Sequence, residues 1–284
     1  MMAMAGVGMV GKRFQIARQL HRTAHSIVVL AYDTWDDQMV VIKWLAPTRF
    51  SMPFTQAIRA FRREIEIVRR LSELEPDTAG WRRFPLLITT GRDRLGYYYV
   101  QRYLPGQTLA EILAAGRPDD AIQIAINLCW TLRILHAYGI IHGDLHPQNI
   151  IVGMRGEVAL IDFGLSRYRY QVAPELSGVG RPQYTPPEQL YGQPLDERSD
   201  LFALSQVLQQ LLAVEQLPPS TQRLIVRMGE PLLNRRERSL AALQAELENL
   251  QPPAIQLPPQ WLRNGLVIAS IIVIVLFFLA FPLR

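Results

Sequence analysis

His142-Gly-Asp-Leu-His-Pro-Gln-Asn149, followed thirteen residues later by Asp162-Phe-Gly164, is the stretch of this chain that decides its fold. It sets two carboxylates and one carboxamide on a strand-and-turn hairpin. At this spacing Asp144 can aim at a substrate hydroxyl, while Asn149 and Asp162 can hold a hard cation against nucleotide phosphates through oxygen. The pattern is that of a metal-nucleotide phosphotransfer site.

Composition bounds the rest. A chain of 284 residues holds one two-lobed domain or two small ones, and an apolar content of 49% is ample for a core. The net charge of +5 comes almost wholly from arginine, since Lys12 and Lys43 are the only lysines. No Lys/Arg block is interleaved with aromatics, so no nucleic-acid partner is expected. The one cysteine, Cys129, excludes an intrachain disulfide and suits a reducing compartment. It falls in an apolar helical stretch and reads as a small core residue.

Gly265 to Leu283 is an uncharged run of nineteen residues, GLVIASIIVIVLFFLAFPL. As a helix it reaches about 28 Å, the hydrocarbon thickness of a bilayer. The run predicts a single transmembrane helix, and Arg235, Arg236, Arg238 and Arg263 before it place the amino-terminal bulk in the cytoplasm, at the cell membrane. Residues 251–264 read as a proline-rich linker and residues 1–13 as a tail with no signal peptide.

Between tail and linker the pattern changes once. Ile27–Ala31 and Met39–Lys43 are β-branched runs separated by the Asp33–Asp37 turn cluster, a hairpin signal. Thr55 to Leu74 carries apolar residues at helical spacing, and Tyr97–Val100 resumes strand character. After Gly106 the chain turns mostly helical, over 109–115, 119–138, 199–214 and, in pieces, 221–250.

The first motif resembles H-R-D-x-x-x-x-N followed by D-F-G of the protein kinase superfamily, and most closely its bacterial Ser/Thr members. The resemblance spans residues 14–250 and implies an α+β, two-lobed fold, with a β-rich lobe over 14–104 and a helical lobe over 105–250. It implies ATP and Mg²⁺ as cofactors. Asp144 becomes the catalytic base, with Asn149 and Asp162 as metal ligands. His146 replaces the usual lysine near the transferred phosphoryl group, and Gly143 replaces the arginine that pairs with a phosphorylated activation segment in many relatives. Lys43 ends Val40-Val-Ile-Lys and matches the phosphate-neutralising lysine. Glu64, ahead of Glu66, matches its helix partner.

Gly6-Val-Gly-Met-Val-Gly11 spells GxGxxG, yet no strand precedes it and it lies too far ahead of Lys43. Counting back from Lys43 instead places Leu20-His-Arg-Thr-Ala-His-Ser26 in the phosphate loop, without a glycine. Side chains of Thr23 and Ser26 then stand where backbone amides usually meet phosphate, and weak nucleotide binding follows. Backbone groups of Arg102 and Leu104 are expected at the adenine edge, with Gln101 as gatekeeper. Glu188 in Thr185-Pro-Pro-Glu-Gln189 is expected to pair with Arg238, and Asp200 to cap the catalytic loop. Three readings follow: a membrane-anchored Ser/Thr kinase whose protein substrate the sequence does not name, a pseudokinase scaffold, or a small-molecule hydroxyl phosphotransferase.

Overall fold

A computed structural model describes residues 8–251, apart from 24–25, 47–52, 76–79, 117, 119, 174–175, 177 and 214. The first half of the chain builds one antiparallel sheet from β1 (Met9–Val10), β2 (Phe14–Arg22), β3 (Ser26–Asp33), β4 (Gln38–Leu45), β5 (Leu87–Asp93) and β6 (Gly96–Arg102). Strand order is β1-β2-β3-β4-β6-β5. Part of the expected tail is therefore structured: Met9 and Val10 pair with Gln15 and Phe14. The turn between these strands needs Gly11 at a φ of 58°, where a Cβ is disfavoured.

Period-two alternation sets the faces of this sheet. Ile27, Val29 and Ala31 of β3 and Val40, Ile42 and Trp44 of β4 are buried together. Lys43 and Tyr99, paired across β4 and β6, therefore share the opposite face. The helix α1 (Phe54–Leu74) buries Ala57, Phe61, Glu64, Ile67, Val68 and Leu71. Its Ala57 and Phe61 pack with Leu45 and Tyr99, the expected Ile58 and Ile65 lying half-buried beside them. Burial of one carboxylate, Glu64, in an otherwise apolar stripe is the exception that the site explains.

The second half is helical, with α2 (Leu109–Ala115), α3 (Ala121–Ala137), α4 (Pro187–Leu190), α5 (Glu197–Leu211), α6 (Pro219–Met228) and α7 (Leu240–Glu248). Helix α3 buries ten of its residues, Cys129 among them, and forms the centre of this half. Short strands β7 (Gln107–Thr108), β9 (Ile150–Val152) and β10 (Val158–Leu160) form a three-stranded sheet, and β8 (Ile140–Ile141) pairs with β11 (Arg167–Tyr168). These pairings hold the catalytic stretch between β8 and β9 and the Asp162-Phe-Gly turn between β10 and β11. The compact unit closes at Glu248. The expected transmembrane run lies outside the described residues, among which no helix is long and apolar enough to cross a membrane.

One expected ion pair is displaced by two residues. Glu188 is held by Arg236, not Arg238: two guanidinium nitrogens meet its two oxygens at 2.6 and 3.1 Å, and Ser199 donates a further bond at 2.9 Å. The Arg236 side chain is fully buried and also bonds the carbonyls of Arg198, Glu230 and Pro231. Arg238 is exposed; its amide is bonded by Glu237, where the chain turns toward α7. The arginine cluster was legible, but the register of the loop that aims it was not. Stranding one member of a buried ion pair costs about 3–5 kcal/mol. Arg236→Ala is expected to lower the melting temperature by about 6 °C or more, and Arg238→Ala to leave it nearly unchanged, as thermal unfolding followed by circular dichroism would read.

Candidate active site

The site begins with a charge that the sheet cannot bury alone. Lys43 ends the apolar run of β4, and its Nζ donates to Glu64 Oε1 at 2.6 Å and to Asp162 Oδ1 at 2.7 Å. Burial by itself would lower the lysine pKa, yet the two carboxylates raise it well above its ordinary value. Glu64 shows the reverse balance: burial raises its carboxyl, and Lys43 only partly offsets this. Tyr99 donates its hydroxyl to Glu64 at 2.9 Å. Sequence reading missed this tyrosine, although its pairing with Lys43 across β4 and β6 puts both side chains on one face.

Asp162 bridges the two halves. Its backbone is left-handed, at a φ of 62°, which turns the carboxylate toward Lys43. The side chain remains 44% exposed. Burial pushes its carboxyl up, but Lys43 and the Gly164 amide hold it down at about 2. Phe163 is buried against Phe84 and His142, at ring distances of 6.3 and 5.1 Å. Asp162 is thus kept ionised and aimed by its neighbours before any ligand binds.

The catalytic loop is held from below by Asp200, as expected. Its carboxylate accepts the amides of His142 and Gly143, each at 2.9 Å, and faces His136 Nε2 at 2.8 Å. Burial raises its carboxyl, and these donors more than reverse that. Gly143 sits at a φ of 71°, and a Cβ there would lie 2.8 Å from the Leu165 carbonyl. Its carbonyl accepts Gln189 Nε2 at 2.8 Å. The activation segment is therefore tied to the loop by an amide side chain at the position where an arginine was expected to be missing.

Asp144 and Asn149 lie together. Asn149 Nδ2 donates to the Asp144 carbonyl at 2.9 Å and to its Oδ2 at 3.3 Å. That spends the amide nitrogen and leaves the carbonyl oxygen for a cation. A carboxamide oxygen and an ionised carboxylate are the hard donors that Mg²⁺ takes alongside nucleotide phosphates, so Asn149 and Asp162 fit the ion. His146 is buried behind Asp144, with its Nε2 3.5 Å from Asp144 Oδ2. A buried ring in that place does not project into the cleft as the expected cation would.

The remaining expected residues divide. At the edge of β6, Arg102 donates its amide to the Leu86 carbonyl at 2.8 Å, so that amide is not available to a nucleotide. The Leu104 amide has no acceptor among the described residues and suits an adenine nitrogen. Thr23 and Ser26 close the β2–β3 turn, the turn to which counting back from Lys43 leads. Their side chains, however, bond one another at 3.1 Å, and the Ser26 amide donates to Thr23 Oγ1 at 2.9 Å. A turn closed on itself presents fewer donors to phosphate than the sequence suggested. Arg181 donates to Gln148 of the catalytic loop, an acceptor that sequence reading did not find.

The sequence that carries this lysine, helix glutamate, turn aspartate and loop asparagine is similar to that of known proteins. The model of the protein kinase domain matches residues 14–257. The chain is 30% identical over 224 residues to a probable serine/threonine-protein kinase of Streptomyces coelicolor, covering 74% of this chain and 31% of that protein. It is 32% identical to the serine/threonine-protein kinase PksC of the same organism, covering 73% and 38%. It is 29% identical to a probable serine/threonine-protein kinase PknB of Lactococcus lactis, covering 70% and 31%. The chain thus spans about a third of the length of these curated relatives. With the domain match extending over most of its length, this chain belongs to the protein kinase family.

Proposed function

We propose that this chain is a membrane-anchored protein kinase that moves the γ-phosphoryl group of MgATP to a Ser/Thr hydroxyl. The observation that carries this reading is the assembled contact of Lys43 with both Glu64 and Asp162. A folded scaffold has no use for a lysine poised between two carboxylates at the mouth of a cleft. In this reading Lys43 neutralises the α- and β-phosphates, and Asn149 Oδ1 and Asp162 hold the ion. Mg²⁺ held there would supply charge neutralisation to the nucleotide phosphates. Asp144 orients the acceptor hydroxyl and takes its proton as the new O–P bond forms and the bond to ADP breaks. Arginine at 143 is absent and Gln189 secures the segment instead, so activity needs no phosphorylated activation segment.

Two features favour slow turnover. The glycine-free turn at Thr23–Ser26 cannot bring its amides close to phosphate, which raises KM for ATP. Arg181 donates to Gln148, four residues after Asp144, which puts a bulky guanidinium beside the acceptor site. The same turn is what favours the rival reading, a scaffold that does not turn over. Full-length chain given radiolabelled ATP and a generic protein acceptor separates the two. Wild type is expected to incorporate phosphate, and Asp144→Asn to lose at least about a hundredfold. Equal incorporation by both, or none by either despite nucleotide binding, establishes the scaffold; transfer confined to small hydroxyl compounds establishes the small-molecule enzyme.

The anchor rests on residues 265–283 alone, nineteen uncharged positions behind a proline-rich linker. The arginines ahead of it favour a cytoplasmic domain. The full chain is expected to stay with membranes through alkaline carbonate extraction, and protease outside intact cells to leave residues 1–260 uncut. Release by carbonate, or cleavage of the domain, removes the anchor.

A further inference from the structure

His146 was expected to stand in for a lysine at the phosphoryl group, and its surroundings give it other work. The residue is 2% exposed, with its ring centre 6.0 Å from that of Tyr184. Its carbonyl accepts the Asn149 amide at 2.9 Å, and its Nδ1 accepts the Gln148 amide at 3.2 Å. A neutral imidazole that accepts at Nδ1 must carry its proton at Nε2. That Nε2 lies 3.5 Å from Asp144 Oδ2, a contact short of a formed hydrogen bond. The same oxygen takes Asn149 Nδ2 from another direction at 3.3 Å. At these lengths the contacts are loose, as catalytic contacts are before substrate binds.

We propose that His146 is a positioning residue: locked as the Nε2–H tautomer by Gln148, it holds Asp144 Oδ2 together with Asn149, leaving Oδ1 for the acceptor hydroxyl. This rests on Asp144 being the catalytic base. A lysine in this position reaches forward to phosphate; the imidazole reaches sideways to the carboxylate. Two donors on one oxygen fix the rotation of the carboxylate and leave its other oxygen turned toward the acceptor. The consequence is a site whose acceptor geometry is fixed by His146 and whose phosphate charge is met by Lys43 and the ion alone.

The competing role is structural, since His146 also caps the short 3-10 turn Pro147–Asn149. Two substitutions separate them. His146→Asn retains an oxygen that accepts the Gln148 amide, and asparagine caps well, but its carboxamide is too short to reach Asp144. His146→Gln places a carboxamide nitrogen near the site of Nε2. In the full-length chain, His146→Asn is expected to keep the melting temperature while kcat falls about tenfold, with KM for ATP within about twofold. His146→Gln recovers most of that kcat. Wild-type kcat in the Asn variant, or a rise in KM for ATP with kcat preserved, overturns the proposal.

Long-range ¹H–¹⁵N spectra of histidine-labelled wild type, in detergent and without nucleotide, test the tautomer independently of turnover. The Nε2-protonated pattern is expected for His146, and an Nδ1-protonated ring overturns the assignment. A wild type that binds nucleotide yet transfers nothing ends the kinase reading and this proposal with it, whereas transfer by wild type with an unaffected His146→Asn variant overturns this proposal alone.

Discussion

Everything in this molecule is arranged around the burial of one positive charge. Lys43 leaves β4 on the face of the sheet that α1 covers with apolar side chains, and a lone ammonium there would carry a desolvation cost of several kcal/mol. Glu64 meets that charge from α1 and Asp162 meets it from the turn after β10. The lysine therefore fixes the position of α1 on the sheet and of the Asp162-Phe-Gly turn in the helical half. Tyr99 satisfies a further lone pair of Glu64, and Phe163 fills the space behind Asp162. The site is assembled because leaving it apart would strand a charge.

The catalytic loop follows a second version of the same logic, with polar backbone in place of a charge. A loop that returns through αL geometry at Gly143 exposes amides and a carbonyl to the protein interior. Asp200 accepts the amides of His142 and Gly143, and Gln189 donates to the Gly143 carbonyl. Asp200 belongs to α5 and Gln189 to α4, so two helices of the second half are recruited to hold three backbone groups. Glu188, beside Gln189, is anchored by Arg236 on the loop before α7. A chain of hydrogen-bonded polar groups thus runs from the carboxyl-terminal loop to Gly143 beside Asp144, and none of these links is a phosphorylated side chain.

What the sequence made legible were the groups whose spacing is local. Asp144 and Asn149 are five residues apart in one loop, and Lys43 follows a β-branched run that reads as a strand. The choice of Glu64 over Glu66 followed from helical parity, and α1 confirms it by burying the one and leaving the other on the surface. Illegible were contacts set by the register of loops or strands far apart in sequence. Arg236 and Arg238 differ by two positions on an irregular turn, where no periodicity says which one points inward. Tyr99 required the β4–β6 register. His146 looked like a substituted cation because sequence gives residue type, while its burial and the Gln148 amide on Nδ1 exist only in the folded loop. Thr23 and Ser26 do lie at the β2–β3 turn, but a turn that closes on its own hydroxyls cannot be read from composition.

The dependence on the buried lysine is most directly measured by a double-mutant cycle on stability. Lys43→Met strands Glu64 in an apolar wall, and Glu64→Leu strands part of the Lys43 charge; each is expected to cost about 3–5 kcal/mol. The double variant, which buries two apolar side chains and leaves Asp162 to the open cleft, is expected to recover at least about 2 kcal/mol relative to the sum of the single costs. Urea unfolding of the four proteins gives the numbers. Strictly additive losses would show that Lys43 and Glu64 do not depend on one another, and that the packing of α1 rests on its apolar stripe alone.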